Sequence, residues 1–194
     1  MKKFLSVLLV ALSVIVFTAC GSSAEKPAAQ NPAAEPADKI LVAYFSCTGN
    51  TKKAALEVAE ILNADTFEIV PVLCYTPEDL DYSVENCRAN IEQKDPNARP
   101  AIEKKIDNFA QYKTIVIAFP IWWGAEPRII DTFVESYNFA GKTIVPVCTS
   151  GGSDIMTAEK NLQGLCKDAE LMSGRRLGII SKDELKTWLE SLDL

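Results

Sequence analysis

Residues 46–51 combine three hydroxyl side chains, one glycine and one asparagine, and they directly follow the apolar run at residues 40–45. This order predicts a buried strand, a short loop and the start of a helix. Backbone N–H groups and hydroxyl groups at a helix N-terminus are suited to binding a phosphate. The segment has neither the Gly-Lys-Ser/Thr of a Walker loop nor the three glycines of the dinucleotide fingerprint. The residues expected to hold the phosphate are Ser46, Cys47, Thr48, Gly49, Asn50 and Thr51.

Two further loops follow apolar runs, at residues 114–119 and 143–148, whose composition is typical of strands covered on both faces. With residues 46–51 as the first loop, the second loop contains Pro120, Ile121, Trp122, Trp123 and Gly124, and the third loop contains Thr149, Ser150, Gly151 and Gly152. Adjacent tryptophans after a buried strand indicate a flat ligand stacked on them, and packing against the next helix is the alternative. The paired glycines allow the backbone to approach a ligand closely, and the hydroxyl groups can form hydrogen bonds with ring heteroatoms.

Apolar runs alternate with helical patterns along most of the chain. Residues 65–70 have the more polar character of an edge strand, and residues 170–173 are the candidate for a fifth strand. Ser181 and Glu184 form a capping-box pattern that starts the last helix. These patterns predict a three-layer, doubly wound α/β fold with five parallel strands in the order 2-1-3-4-5. In such a sheet, ligands bind at the carboxyl ends of the strands where the strand order reverses.

Residues 71–100 are long for a connection between a strand and a helix. Thr76 and Pro77 resemble a helix start, so we expect a helical excursion that folds over one end of the sheet. This segment carries Tyr75 and Tyr82, which are candidates for covering a bound ring. Packing of these tyrosines on the protein surface is the alternative.

The N-terminal residues have the pattern of an export signal. Residues 1–19 begin with two lysines and continue as an apolar stretch, shorter than a membrane-spanning helix needs. They end before Cys20 in a sequence that looks like a bacterial lipobox, in which the cysteine is lipidated; an ordinary secretory signal is the alternative. Residues 20–38 are rich in Ala and Pro and predict a tether. We expect residues 39–194 to form a single domain that is anchored outside the cytoplasmic membrane through the lipid alone.

Composition excludes several kinds of chemistry. The formal charge is −6, and it becomes −8 after loss of residues 1–19, so an acidic surface argues against nucleic acid as a partner. The chain has no histidine, which removes Ser/His/Asp hydrolysis and histidine-ligated metal sites. No C-x-x-C pair is present. We expect the cysteines to be small buried thiols, and if a disulfide forms, Cys74 and Cys87 are the most plausible pair.

The three loops together resemble those of the flavodoxin family, most closely single-domain members with Pro-x-Trp-Trp-Gly and Thr-x-Gly-Gly-Ser loops. The resemblance implies a flavodoxin-like fold and bound FMN, with its phosphate at residues 46–51. It also implies that Trp123 stacks on the isoalloxazine with Trp122 beside it, and that the peptide at Gly124 reorients toward flavin N5. Residues 149–152 would bind the pyrimidine edge. The third loop lacks the aromatic residue of classical flavodoxins, which leaves the outer flavin face open to substrate or covered by a tyrosine.

The resemblance implies a redox protein whose chemistry belongs to the flavin, with no catalytic side chain and no metal site. An electron carrier that docks on a redox protein partner is favoured, because no nicotinamide-binding motif is recognisable. The first alternative is an FMN-dependent reductase of a small-molecule acceptor, quinone-like or linked to NAD(P)H. The second is a flavin-free binding module outside the membrane.

Overall fold

The computed structural model describes residues 39–178 and 180–194. The predicted signal at residues 1–19, the lipidation site Cys20 and the tether at residues 20–38 lie outside the described residues. Within the described part of the chain, no helix is long and apolar enough to cross a membrane.

The described domain is a parallel sheet with helices on both faces. The strands are β1 (Lys39–Tyr44), β2 (Asp65–Glu68), β3 (Tyr112–Pro120), β4 (Thr143–Thr149), β5 (Glu170–Leu171) and β6 (Arg175–Leu177). The helices are α1 (Asn50–Leu62), α2 (Arg88–Lys94), α3 (Arg128–Glu135), α4 (Met156–Leu165) and α5 (Lys182–Glu190). The strand order β2-β1-β3-β4-β5 confirms the predicted doubly wound α/β fold.

Alternating side chains of the central strands enter two separate cores, which explains why these strands are apolar throughout. In β1, Leu41 and Ala43 face a core shared with α3 and α4. Val42 and Tyr44 face the opposite core, which is shared with α1 and α5. The two cores fix the position of β1, β3 and β4, and therefore of the loops that leave their carboxyl ends.

The fifth position of the sheet holds two short strands instead of the single strand expected at residues 170–173. β5 pairs with the start of β4 and β6 pairs with its end. The break lies opposite Pro146, which has no N–H to donate to a neighbouring strand. Gly174 occupies this break, where an added Cβ would lie 2.4 Å from the carbonyl oxygen of Pro146.

The long connection at residues 71–100 contains a 3₁₀ turn (Glu78–Leu80) and α2, as expected for a helical excursion. Pro71 and Ile102 form an antiparallel bridge that closes the base of this segment. Cys74 and Cys87 are both free thiols, so the alternative disulfide between them is not formed, and of the two only Cys87 is buried. The last helix begins with the predicted capping box between Ser181 and Glu184.

Replacement of Gly174 tests the close approach at the break in the fifth position. We expect Gly174→Ala to lower the free energy of unfolding by about 1–3 kcal/mol, because the new methyl group meets backbone that cannot rotate away. Gly164→Ala is the matched control, since a Cβ there meets no heavy atom within 4 Å. In α4 that replacement is expected to stabilise by up to about 1 kcal/mol. Urea denaturation measures both, and equal effects would contradict the assignment.

Candidate functional site

The carboxyl ends of β1, β3 and β4 are neighbours, and the three loops that follow them meet at one edge of the sheet. The hydroxyl oxygens of Thr51 and Thr149 lie 2.7 Å apart and join the first loop to the third. The N–H of Ile121 donates to the carbonyl oxygen of Thr149 at 2.9 Å and joins the second loop to the third. The topology therefore brings together three segments that are far apart in sequence.

The first loop presents the N-terminus of α1 without a side-chain cap. Gly49 adopts a left-handed conformation with φ 87°, and its N–H donates to Ser46 Oγ at 3.1 Å. The side-chain amide of Asn50 donates to Thr48 Oγ1 at 3.3 Å. No side chain in the described residues caps this helix, and its first turn contains no acidic residue. The positive end of the helix dipole is therefore available to an anion.

The second loop makes a tight reversal at residues 122–125. The backbones of Trp122 and Ala125 exchange hydrogen bonds at 2.9 and 3.0 Å. Trp123 and Gly124 both have positive φ, 47° and 80°, which defines a type I′ turn. A positive φ is uncommon for a bulky residue such as tryptophan, and backbone strain of this kind clusters at ligand sites.

The two tryptophans have different surroundings. Trp122 is only 5% exposed and packs edge-on against Phe45 and Tyr75, with ring centroids 5.6 and 5.2 Å away. Core packing thus accounts for Trp122. Trp123 is 51% exposed. Its ring contacts Tyr82, at 4.6 Å between centroids and an angle of 80°.

The two candidate cover residues also differ. The hydroxyl group of Tyr75 donates to Glu92, and the guanidinium of Arg88 lies 4.0 Å above the tyrosine ring. Burial and the neighbouring Glu92 carboxylate raise the pKa of Tyr75. Tyr75 is thus held inside the segment at residues 71–100. Tyr82 is half exposed and lies beside the site, where it contacts Trp123.

Two clefts flank the third loop. A cleft of about 180 Å³ lies between all three loops and the segment at residues 71–100. Its lining includes Cys47, Thr48, Asn50, Thr51, Tyr82, Pro120, Ile121, Trp122, Thr149 and Gly151. A second cleft, of about 490 Å³, lies between the third loop, α1 and the start of α5, and Ser150 lines it. Six of the predicted residues line neither cleft: Ser46, Gly49, Tyr75, Trp123, Gly124 and Gly152.

Sequence reasoning did not identify several residues of these clefts. Leu80 lines the smaller cleft, and Lys53, Glu57 and Leu177 line the larger one. Lys53 and Glu57 lie one turn apart on α1, and this spacing could have indicated from the sequence that they share one face of the helix. Leu80 reaches the site only through the fold of the segment at residues 71–100, which no local pattern encodes.

Cys47 occupies the variable position of the first loop. The residue keeps exposed surface, yet desolvation by the surrounding protein raises the pKa of its thiol to about 12. The thiol is therefore neutral at physiological pH and lacks the thiolate that a nucleophile needs. In the described part of the chain, no group of three or more Cys, Asp and Glu side chains is arranged to hold a metal ion.

A buried polar cluster lies behind the second loop, and sequence reasoning missed it. Its members are Gln93, Glu126, Arg128, Asp131 and Asn161, and we call it the acid cluster. The Glu126 side chain is fully buried, and Asn161 Nδ2 lies 2.9 and 3.2 Å from its two oxygens. Arg128 donates to Asp131 at 3.2 Å. Burial is the main cause that raises the pKa of Glu126, to about 7.

The fold and site define a doubly wound α/β protein with an uncapped helix N-terminus at its topological switch point. The family model described as Flavodoxin matches residues 39–192. The chain therefore belongs to the flavodoxin family.

Solved structures agree with this assignment. A protein from Bacteroides eggerthii DSM 20697, assigned as a flavoprotein, is 40% identical, with 80% of this chain and 98% of that chain covered and a TM-score of 0.77. One from Bacteroides uniformis ATCC 8492 is 45% identical, with 79% and 99% covered and a TM-score of 0.77. A Lactobacillus acidophilus NCFM flavoprotein in complex with FMN shares the fold at 21% identity, with 79% and 99% covered and a TM-score of 0.59. Among curated proteins, nothing matches the chain.

The different surroundings of the two tryptophans predict different effects on stability. We expect Trp122→Ala to lower the free energy of unfolding by about 3–5 kcal/mol, because it leaves a cavity beside Phe45. Trp123→Ala is expected to cost less than about 1 kcal/mol, since half of its side chain already contacts water. Chemical denaturation of both variants checks this, and a larger loss for Trp123→Ala would refute the assignment.

Proposed function

We propose that this protein binds FMN at the three loops and transfers electrons at the outer face of a membrane. The observation that carries the proposal is the uncapped N-terminus of α1, joined to the third loop by the Thr51–Thr149 contact. A phosphate and a ring system attached to it would meet both features at once. Bound FMN supplies the electron-accepting chemistry, and the chain's own residues bind and orient it.

The first loop fits the phosphate of FMN. Its donors are the free backbone N–H groups at the start of α1 and the hydroxyls of Ser46, Thr48 and Thr51. The positive φ of Gly49 turns the backbone into the helix without a side chain over the site. Lys53, in the first turn of α1, adds a positive charge beside the larger cleft. These groups neutralise an anion without any metal ion.

The exposed face of Trp123 fits the flat ring of the flavin, and Tyr82 is the candidate for the opposite face. A ring held between two aromatic side chains needs their centroids about 7 Å apart, twice a van der Waals contact. The present separation is 4.6 Å. The two rings therefore move apart when the flavin ring binds, and both side chains are half exposed and have room to do so. The glycines of the third loop leave its backbone accessible to the pyrimidine edge.

Electron transfer to a protein partner is the favoured use of the bound flavin. The acidic charge of the chain suits a partner with a basic docking surface. The export signal at residues 1–19 and the lipobox ending at Cys20 support a position on the outer side of the membrane.

A reductase is the second candidate function, and the cleft of about 490 Å³ favours it. This cleft adjoins the third loop and offers apolar surface from Leu177 and Leu185 beside Lys53. A small organic acceptor with an anionic or carbonyl group would fit that lining. Flavin reduction by NAD(P)H without a protein partner, followed by turnover of a quinone, would favour the reductase over the carrier.

Titration of purified protein with FMN tests the binding proposal. We expect saturable quenching of FMN fluorescence at micromolar concentrations. In Trp123→Ala, affinity is expected to fall roughly 10- to 100-fold, since stacking on one aromatic face contributes about 1–3 kcal/mol. Trp123→Phe is the matched control and keeps most of the affinity.

Riboflavin, which lacks the phosphate, separates the two halves of the proposed site. It is expected to bind more weakly than FMN to the native protein, because it does not use the α1 terminus. Absence of FMN binding would refute the proposal and favour the flavin-free binding module.

Replacement of Cys20 tests the proposed location. We expect the native protein to sediment with the membrane fraction and Cys20→Ser to be recovered in the soluble extracytoplasmic fraction. Cys47→Ser is the matched control, and it stays with the membrane. Membrane recovery of Cys20→Ser equal to that of the native protein would contradict lipid anchoring.

A further inference from the structure

The acid cluster contains all three buried side-chain polar atoms that lack a hydrogen-bond partner among the described residues. These atoms are Gln93 Oε1, Arg128 Nε and Asp131 Oδ1. Buried polar groups are almost always paired, so a concentration of exceptions at one place requires an explanation. The FMN site described above does not use any of these side chains.

A shared proton explains the unpaired carboxylate oxygen. Glu126 and Asp131 are both buried, and each carboxyl group perturbs the pKa of the other. Two neighbouring buried carboxylates repel strongly, whereas one proton between them provides the donor that Asp131 Oδ1 lacks. Asp131 is the ionised member, because Arg128 and Arg99 approach its Oδ2 at 3.2 and 3.7 Å. Glu126 then carries the proton.

The proton lies close to the turn that presents Trp123. Gly124 and Ala125 alone separate Trp123 from Glu126, and the backbone of Ala125 closes the turn with Trp122. The carbonyl oxygen of Glu126 accepts a hydrogen bond from Gln93 Nε2 at 3.0 Å. Glu126 is therefore held by α2 through its backbone and by α4 through Asn161. A displacement of the Glu126 side chain would therefore be transmitted to Trp123 through the backbone of Gly124 and Ala125.

We propose that Glu126 is a positioning residue for the FMN site: it shares one proton with Asp131, and loss of that proton displaces the turn at residues 122–125 and weakens FMN binding. This inference rests on the proposed function, because it concerns the same loop. The new negative charge also opposes the anionic ligand.

The charged groups around Glu126 determine the direction of the pH effect. Asp131 and Arg128 face it from α3, and Arg99, which also pairs with Glu135, approaches from the segment after α2. Gln93 and Asn161, from α2 and α4, are neutral. Burial and Asp131 raise the pKa of Glu126, so the folded protein retains a proton that the unfolded chain has already lost. The contribution of this proton to folding is complete at low pH and disappears as pH rises through about 7.

The test is the dissociation constant of FMN between pH 6 and pH 9. Between these pH values, we expect the dissociation constant of the native protein to rise about tenfold more than that of Glu126→Gln. A tenfold rise corresponds to a Glu126 pKa that is one unit higher in the FMN complex than in the free protein. Glu126→Gln keeps the shape of the side chain and is expected to show only the dependence that comes from the FMN phosphate. Glu190→Gln, on the exposed face of α5, is the matched control and follows the native curve.

Asp131→Asn provides a second variant in case Glu126→Gln does not fold. It removes the neighbouring negative charge, so the pH dependence is expected to persist with its midpoint shifted to lower pH. Infrared spectroscopy of the FMN-free protein is expected to show a protonated-carboxyl band that titrates near neutral pH and is absent in Glu126→Gln. This second readout does not depend on FMN.

The outcomes separate the two proposals. Native and Glu126→Gln curves of the same shape, with FMN bound throughout, would overturn the positioning role and leave FMN binding intact. Absence of FMN binding at every pH would overturn the proposed function and the link to FMN with it. Absence of the titrating infrared band would overturn the shared proton itself.

Discussion

The parallel pairing of β3 with both β1 and β4 is the constraint on which the site depends. These three strands are covered by helices on both faces, so their register is fixed by two cores. Their carboxyl ends stop at the same edge, and three short loops begin there. The Thr51–Thr149 contact and the hydrogen bond from Ile121 to Thr149 then hold the loops at fixed distances. A site built on rigid strands binds a ligand without first ordering a flexible chain.

The two adjacent tryptophans of the second loop have different roles. Trp122 fills space under the loop, against Phe45, and this packing anchors the turn. Trp123 takes a strained left-handed conformation and presents an open aromatic face. The strain is sustained because the anchored neighbour and the Trp122–Ala125 hydrogen bonds over-determine the turn. The acid cluster behind the turn is the least satisfied part of the described interior, in contrast to the apolar cores on both sides of the sheet.

The segment at residues 71–100 adds a feature that a minimal doubly wound sheet lacks. Its inner side is held by the contacts among Tyr75, Arg88 and Glu92. Its outer side brings Tyr82 to Trp123 and Leu80 to the smaller cleft. The second aromatic ring of the site, Tyr82, therefore comes from this segment, whereas classical flavodoxins carry it in the third loop. Access to the site then depends on the position of this segment rather than on the sheet.

The sequence by itself determined the strand order, the helix start after β1 and the capping box of α5. These features depend on local chemistry and on hydrophobic periodicity, which are readable along the chain. The tertiary structure alone decided that Trp122 is buried and Trp123 exposed, since the two side chains are identical and adjacent in sequence. It also decided the division of the fifth strand opposite Pro146, and the meeting of Glu126 with Asp131 and Asn161. Such contacts join distant segments, and their energies depend on burial, which exists only after the chain has folded.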